Sequence, residues 1–388
     1  MDTLLNIFKT HSSLKYGVAV LVYMAIVRHL RFKRINALLK KYPDPTLPLR
    51  NLEIAREVNA VLDTLEFPYL IVVSLEFALF KTYAIPTISR ILASTKQFTN
   101  QCLKRADDTT FILLEVSEFY ARNVKRTMVE GKIDEQEMLN DARRHEIAVE
   151  RLNFIHGHYN IKQEDYLYTL ALFITEPTKF ISNYEWRPLT ELEQNAIMAV
   201  WIYNGKRMGI KNIPESKEEL KTWADEYDRN YSKFAQSNVA IADSTVDLLL
   251  SKVPSFTHGF GRMAVSVLLT PQLREAFGMS TPPGFVVSLV NAALWTRGTF
   301  IKYFMLPRRL PLVRSASRAN KEGNYVPTYH KYEPVYPDGY RVEDLGPEKF
   351  LGKCPVSFHP SGITPPASGV TPSASRIILS ATETVKEL

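Results

Sequence analysis

From about Asn51 to Leu306, apolar residues recur at three- and four-residue spacing between short turns. That is the period of helices that each bury one face. It predicts helices over Leu52–Asp63, Tyr69–Tyr83, Pro86–Ser94, Arg105–Asn123, Glu135–Ile155 and Gln163–Asn183. Glu191–Met208, Lys217–Tyr231, Ser237–Lys252, Gly259–Ala276 and Gly284–Met305 follow. Alternating, strand-like runs are nearly absent, and no internal repeat is found. At Pro307 the helical period stops. Tyr325–Tyr340 is rich in Tyr and Pro, and Pro355–Ser375 in Pro, Ser, Thr and Gly, so the tail is expected to be irregular and partly disordered. The fold class expected from this pattern is all-α.

Two apolar runs stand outside the amphipathic pattern. Tyr16–Val27 (YGVAVLVYMAIV) carries no charge and is followed by Arg28, Arg31, Lys33, Arg34, Lys40 and Lys41. Positive charge after the apolar run, with no small-residue cleavage site, argues against a cleaved signal peptide. Twelve uncharged residues fall short of the roughly 20 that span a bilayer, but Lys15 can snorkel and Leu14, Leu30 and Phe32 lengthen the run. The expectation is an N-terminal signal anchor with everything after Arg28 in the cytosol. Pro68–Phe80 contains Glu76, stops at Lys81, and reads as a buried helix. The expected division is an anchor and basic segment over 1–41, a helical domain over 42–306 and a tail over 307–388, with Tyr42–Pro48 as a proline-stiffened linker.

Composition adds exclusions. In 388 residues, 45% are hydrophobic and 23% charged, so wholesale disorder and a polytopic membrane protein are both excluded. The net charge of +7 is not gathered into one groove-sized array, so nucleic acid is not an expected partner. Two distant cysteines, Cys102 and Cys354, cannot build a disulfide framework, a thiolate zinc site or an iron–sulfur cluster.

Gly259-Phe-Gly261-Arg-Met-Ala264 matches G-x-G-x-x-A, yet Lys252–His258 before it is no strand and no βαβ unit surrounds it, so it reads as a helix start. Walker A, H-E-x-x-H, G-x-S-x-G, Glu-x-x-His and C-x-x-C-H motifs are all absent. Two constellations remain. His156 and His158 close a helix in apolar and aromatic company, which suits either a neutral axial ligand of non-covalent haem or a cap on helix carbonyls. Arg105, Asp108, Thr109 and Ile112 fall at i, i+3, i+4 and i+7 on one helical face. They project either a cation, a carboxyl and a hydroxyl toward a common site, or an ordinary helix N-terminus with Asp107 or Asp108 capping amides.

The stretches Phe77–Ser89, Lys104–Thr109, Phe154-Ile-His156 and Asp165–Phe173, in this order, resemble fungal MpaB-type ER-bound oxygenases, of one superfamily with bacterial latex-clearing rubber oxygenases. The similarity extends to Glu185-Trp-Arg187, the Trp201 region and Arg274, and ends near Pro307. The resemblance implies a globin-like helical bundle around haem b that cleaves isoprenoid C=C bonds with O2, as in mycophenolic acid-like terpenoid biosynthesis. The cofactor it implies is haem b with its iron. The partners are O2, a prenylated small molecule of farnesyl type and the ER membrane, with one membrane pass and a cytosolic catalytic domain. His156 matches the family's iron ligand, and Arg105 with Thr109 its R-x-x-x-T pair. Asp108 stands where the rubber oxygenases carry lysine, and is expected to act as acid and base. Arg105 is expected to hold a haem propionate or the Asp108 carboxylate, and Thr109 to donate a hydrogen bond nearby.

Overall fold

The computed structural model describes residues 12–132 and 134–353; Cys354 and the Pro355–Ser375 stretch lie outside it. Its longer helices are α1 (Ser12–Lys41), α2 (Leu52–Val61), α3 (Leu70–Thr82), α4 (Pro86–Ser94), α5 (Cys102–Ser117), α6 (Phe119–Glu130) and α7 (Glu135–His156). Then come α8 (Gln163–Tyr184), α9 (Glu191–Arg207), α10 (Lys217–Tyr231), α11 (Gln236–Leu250), α12 (His258–Val267), α13 (Pro271–Ala276) and α14 (Gly284–Phe304). Among the described residues there is no β-strand, only one antiparallel bridge between Tyr325 and Tyr340.

The centre is α8. Glu164 and Asp165 in its first turn suit the positive end of the helix dipole. Leu167, Leu170, Ala171, Ile174 and Ile181 form a buried stripe at helical spacing. α3, formed by the Pro68–Phe80 run, lies along α8, and Lys81 Nζ meets Glu176 Oε1 at 2.8 Å between them. α9 starts on a reciprocal cap in which Thr190 and Glu193 satisfy each other's backbone amides. α9 closes on α8 at Gly205, where a Cβ would stand 2.6 Å from Leu170 Cδ2.

Two expected helices are broken. Arg105–Asn123 divides at Glu118, because its buried carboxylate accepts the backbone N–H groups of Arg314 and Ser315. Gly259–Ala276 divides before Pro271, where Thr270 caps the amide of Leu273. The glycine of the G-x-G-x-x-A match proves to be a packing device: a Cβ on Gly261 would lie 2.5 Å from Leu250 Cδ2 of α11.

The N-terminal helix runs well beyond the expected apolar segment. α1 is one continuous helix whose second half belongs to the body, with Val27, Ile35 and Leu38 buried and Arg34 paired to Glu66 at 3.2 Å. Among the described residues, the single helix long and apolar enough to cross a membrane is α14 and not α1. Periodicity located α14 as the expected helix Gly284–Met305, but its spacing continues that of the body helices and does not report which medium its outer face meets.

After α14 the chain is irregular, as expected, but through residue 353 it is docked against α5, α6 and α7. Tyr340 stacks on Phe111 with ring centroids 4.8 Å apart and donates to Glu115 Oε1 at 2.6 Å. Arg144 lies 3.6 Å over the Tyr325 ring and donates to Ala316 O. Arg151 donates to Leu345 O and Phe350 O. Three fully buried arginines, Arg122, Arg144 and Arg151, hold this strap down. They are paired with Glu115 and Asp141 or with strap carbonyls, as buried charges must be.

Candidate active site

A cavity opens between α3, α4, α5, α8, α9 and the end of α7, with about 250 Å³ accessible to the centres of water-sized molecules. Side chains such as Leu79, Ile91, Ile112, Leu170, Phe173 and Trp201 make most of its wall apolar. Arg105, Asp108, Thr109 and His156 all line it. The i, i+3, i+4 face of α5 therefore does project into one site, opposite the last residue of α7.

His156 is half-buried and stands 5.6 Å from the Tyr166 ring. Its Nδ1 is buried and makes no hydrogen bond. Burial, and then the nearby Arg105 charge, push its pKa down to about 4, so the imidazole is neutral at pH 7. The alternatives face elsewhere. His158 is exposed with Nδ1 on Phe154 O at 2.7 Å, and the partly buried His258 bonds Val253 O through Nε2 at 3.0 Å, away from the cavity. His145 is a second buried neutral histidine, with Nδ1 on Val116 O, and sits behind the cavity wall.

Asp108 is not a cap. α5 begins at Cys102, so Asp108 lies in its second turn. Only 2% of it is exposed. Lys104 Nζ, one turn back, meets Asp108 Oδ2 at 2.8 Å and also reaches Gly346 O at 2.8 Å. The Tyr336 hydroxyl donates to Asp108 Oδ1. The expected Arg105–Asp108 contact is not formed. Arg105 makes no ion pair among the described residues, and its guanidinium lies 5.6 Å over the Phe98 ring. The Thr109 hydroxyl donates to Arg105 O of its own helix at 2.8 Å, the usual local bond of a mid-helix threonine.

Three contributors were missed at the level of sequence. Tyr336 and Gly346 come from the strap, more than 200 residues from Asp108, in a tail whose composition reads as irregular and carries no signal of this contact. Gly346 has φ +109°, and a Cβ there would lie 2.6 Å from Ile155 Cδ1, so glycine alone lets the strap bring this carbonyl to Lys104. Asp165 is the third, a buried cavity carboxyl held by Thr87 and Tyr227 at 2.9 Å each, with its pKa raised by desolvation.

The donor set suits haem. Among the described residues no three His, Cys, Asp or Glu side chains are grouped to hold a bare metal ion. What the cavity offers is one neutral imidazole with an unsatisfied nitrogen, an apolar wall and an unpaired guanidinium. Those features match a flat, greasy, anionic-edged ring completed by one axial histidine.

Comparison with known proteins agrees with this geometry. The family described as ER-bound oxygenase mpaB/B'/Rubber oxygenase, catalytic domain, matches residues 80–298. The chain belongs to that family. An ER-bound oxygenase mpaB' of Penicillium brevicompactum is 30% identical over 386 residues, covering 85% of this chain and 87% of that protein. An ER-bound oxygenase mpaB of Penicillium roqueforti (strain FM164) is 33% identical over 67% of this chain and 89% of that protein. A third, mpaB of Penicillium brevicompactum, is 34% identical over 70% of each. As a member of this oxygenase family the chain is an oxidoreductase. The matched segment contains Arg105, Asp108, Thr109, Asp165 and His156 and ends within α14, so Tyr336 and Gly346 are supplied from outside it.

Proposed function

We propose that the chain is a haem b-dependent oxygenase of the ER membrane that cleaves a C=C bond in a farnesyl-type prenyl chain with O2, in mycophenolic acid-like terpenoid biosynthesis. The observation that carries this reading is the placement of His156. It is a neutral imidazole with an unpartnered buried nitrogen, on an apolar cavity inside an oxygenase family domain. Haem b, when bound, supplies the oxygen chemistry. His156, on the cavity wall, would hold the haem iron. Arg105, which makes no ion pair among the described residues, would hold a propionate. The apolar wall binds the prenyl chain and keeps water from it, which suits a substrate that partitions into membranes. Asp108 takes and returns a proton at its cavity-facing carboxyl, while Lys104 and Tyr336 fix that carboxyl's orientation. α1 attaches the protein to the membrane with the catalytic domain on the cytosolic side.

The test begins with the purified full chain. A Soret band and a pyridine haemochrome of the b type are expected after expression with ample haem. His156→Ala is expected to abolish haem retention with helical content intact. Full haem in that variant, or no Soret band in the parent, would overturn the assignment. Loss of the double bond of a farnesylated aromatic in the presence of O2 and a reductant then separates an oxygenase from a haem carrier.

A further inference from the structure

α14 turns the wrong side out for a helix on a water-soluble surface. Its one buried-side charge, Arg297, faces inward and meets Glu185 Oε1 at 2.9 Å. Gly298 beside it packs against the carbonyls of Tyr184 and Glu185, where a Cβ would stand about 3.2 Å away. The outward face carries Phe285, Leu289, Trp295 and Phe300, from 54% to 70% exposed. Of its most apolar 18 residues, 11% are buried. Water penalises such an arrangement, and a hydrocarbon environment favours it.

The exposed face is continuous with that of α1. The Tyr23 hydroxyl donates to Phe304 O at 2.8 Å, and Arg31 Nε donates to Met305 O at 2.7 Å. Side chains of α1 thus satisfy carbonyls at the C-terminal end of α14, which have no partner of their own within the helix. The half of α1 before Val27 exposes Leu14, Tyr16, Leu21, Tyr23 and Ile26. At the junction the basic run of α1 and the basic segment after α14 come to one level, with Arg34 donating to Arg308 O. Exposed Arg28, Lys33 and Arg309 lie in these segments and suit anionic headgroups.

Both ends of α14 are tied into the same body. Before it, Met279 packs on the cluster of Leu273 and Phe277; after it, Leu312 and Arg314 bond Thr64 and Glu118. A helix returned to one body at both ends cannot cross a bilayer, although its length of 21 residues would suffice.

We propose that α14 is a second membrane element, lying within one leaflet of a phospholipid bilayer beside α1 and presenting Phe285, Leu289, Trp295 and Phe300 to the acyl chains. This surface is separate from the cavity, and the proposal holds whether or not haem binds.

Site-directed spin labelling of the full chain tests it. Leu289→Cys, Trp295→Cys and Lys221→Cys, the last on exposed α10, are each labelled in a Cys102→Ser, Cys354→Ser background and placed in phosphatidylcholine–phosphatidylserine vesicles. Labels at 289 and 295 are expected to be reached by lipid-soluble O2 and shielded from a water-soluble nickel chelate, at depths of about 5–10 Å below the headgroups. The label at 221 is expected to behave oppositely. Equal nickel access at 289, 295 and 221 would overturn the proposal. So would a depth profile running through the bilayer centre, which means a span. Shielding with spin–spin broadening between neighbouring chains would assign the face to a dimer instead. These side chains lie on the surface of the chain and not in its core, and circular dichroism checks that each labelled chain keeps its helices.

Discussion

On the α3, α8 and α9 side, the cavity wall is apolar side chains, Leu170 and Phe173 of α8 with Leu79 of α3 and Trp201 of α9, backed by the buried Ile174 of α8. On the α5, α6 and α7 side, the scaffold is charged. Glu115, Arg122, Asp141 and Arg144 are each 2% exposed or less and tie the helices to the strap. The first side is held by contacts that tolerate exchange of one apolar residue for another. The second is held by groups whose loss leaves a partner charge stranded in low dielectric. The candidate chemistry sits at the seam, with Asp108 on the charged side and the apolar wall opposite.

The largest effect that sharpens this contrast is on turnover. Asp108→Asn, at equal haem occupancy, is expected to slow cleavage of a farnesylated aromatic by about 10²–10⁴-fold, the usual worth of an acid–base group. A rate within a factor of about two of the parent would reduce Asp108 to a structural partner of Lys104 and Tyr336.

For stability, Arg144→Met is expected to cost about 3–5 kcal/mol in denaturant unfolding, because Glu115 and Asp141 lose a buried cation. Ile174→Val on the apolar side is expected to cost about 0.5–1.5 kcal/mol. Similar losses at the two positions would erase the distinction between the walls. Tyr336→Phe deletes one bond to the Asp108 carboxylate and is expected to cost about 1.5–3 kcal/mol, readable as earlier proteolysis of the strap.

The smallest effect at neutral pH concerns His145, whose pKa burial and the Arg56 charge lower to about 3. The unfolded chain takes up a proton below about pH 6.5 and the native histidine does not, so its contribution to stability falls as pH drops from 6.5 toward 3. By pH 5 the loss is about 2 kcal/mol. His145→Gln, which cannot titrate, is expected to show a shallower fall in unfolding free energy between pH 7 and pH 5 than the parent. His156 acts in the same direction down to about pH 4.

Legibility in the sequence followed the same division. Burial of one helix face imposes a period of 3.6 residues, so α3, α8, α9 and the apolar wall could be read in advance, as could the shared face of Arg105, Asp108 and Thr109. A buried ion pair imposes no period. Nothing local tells Glu118 that it will receive Arg314 and Ser315, or Asp108 that Tyr336 will join Lys104, its i−4 neighbour. α14 was placed as a helix, but spacing reports which face differs and is silent on which one meets water.

Gly346 and Tyr336 also set an order of events during synthesis. α14 ends at Phe304, so about 40 further residues must leave the ribosome before the Gly346 carbonyl can reach Lys104. At about 5–20 residues per second, that leaves a few seconds in which the cavity helices are already exposed and the strap is not. Gly346 and Pro347 line the cavity, so the part of its wall that the strap supplies is the last to be synthesised.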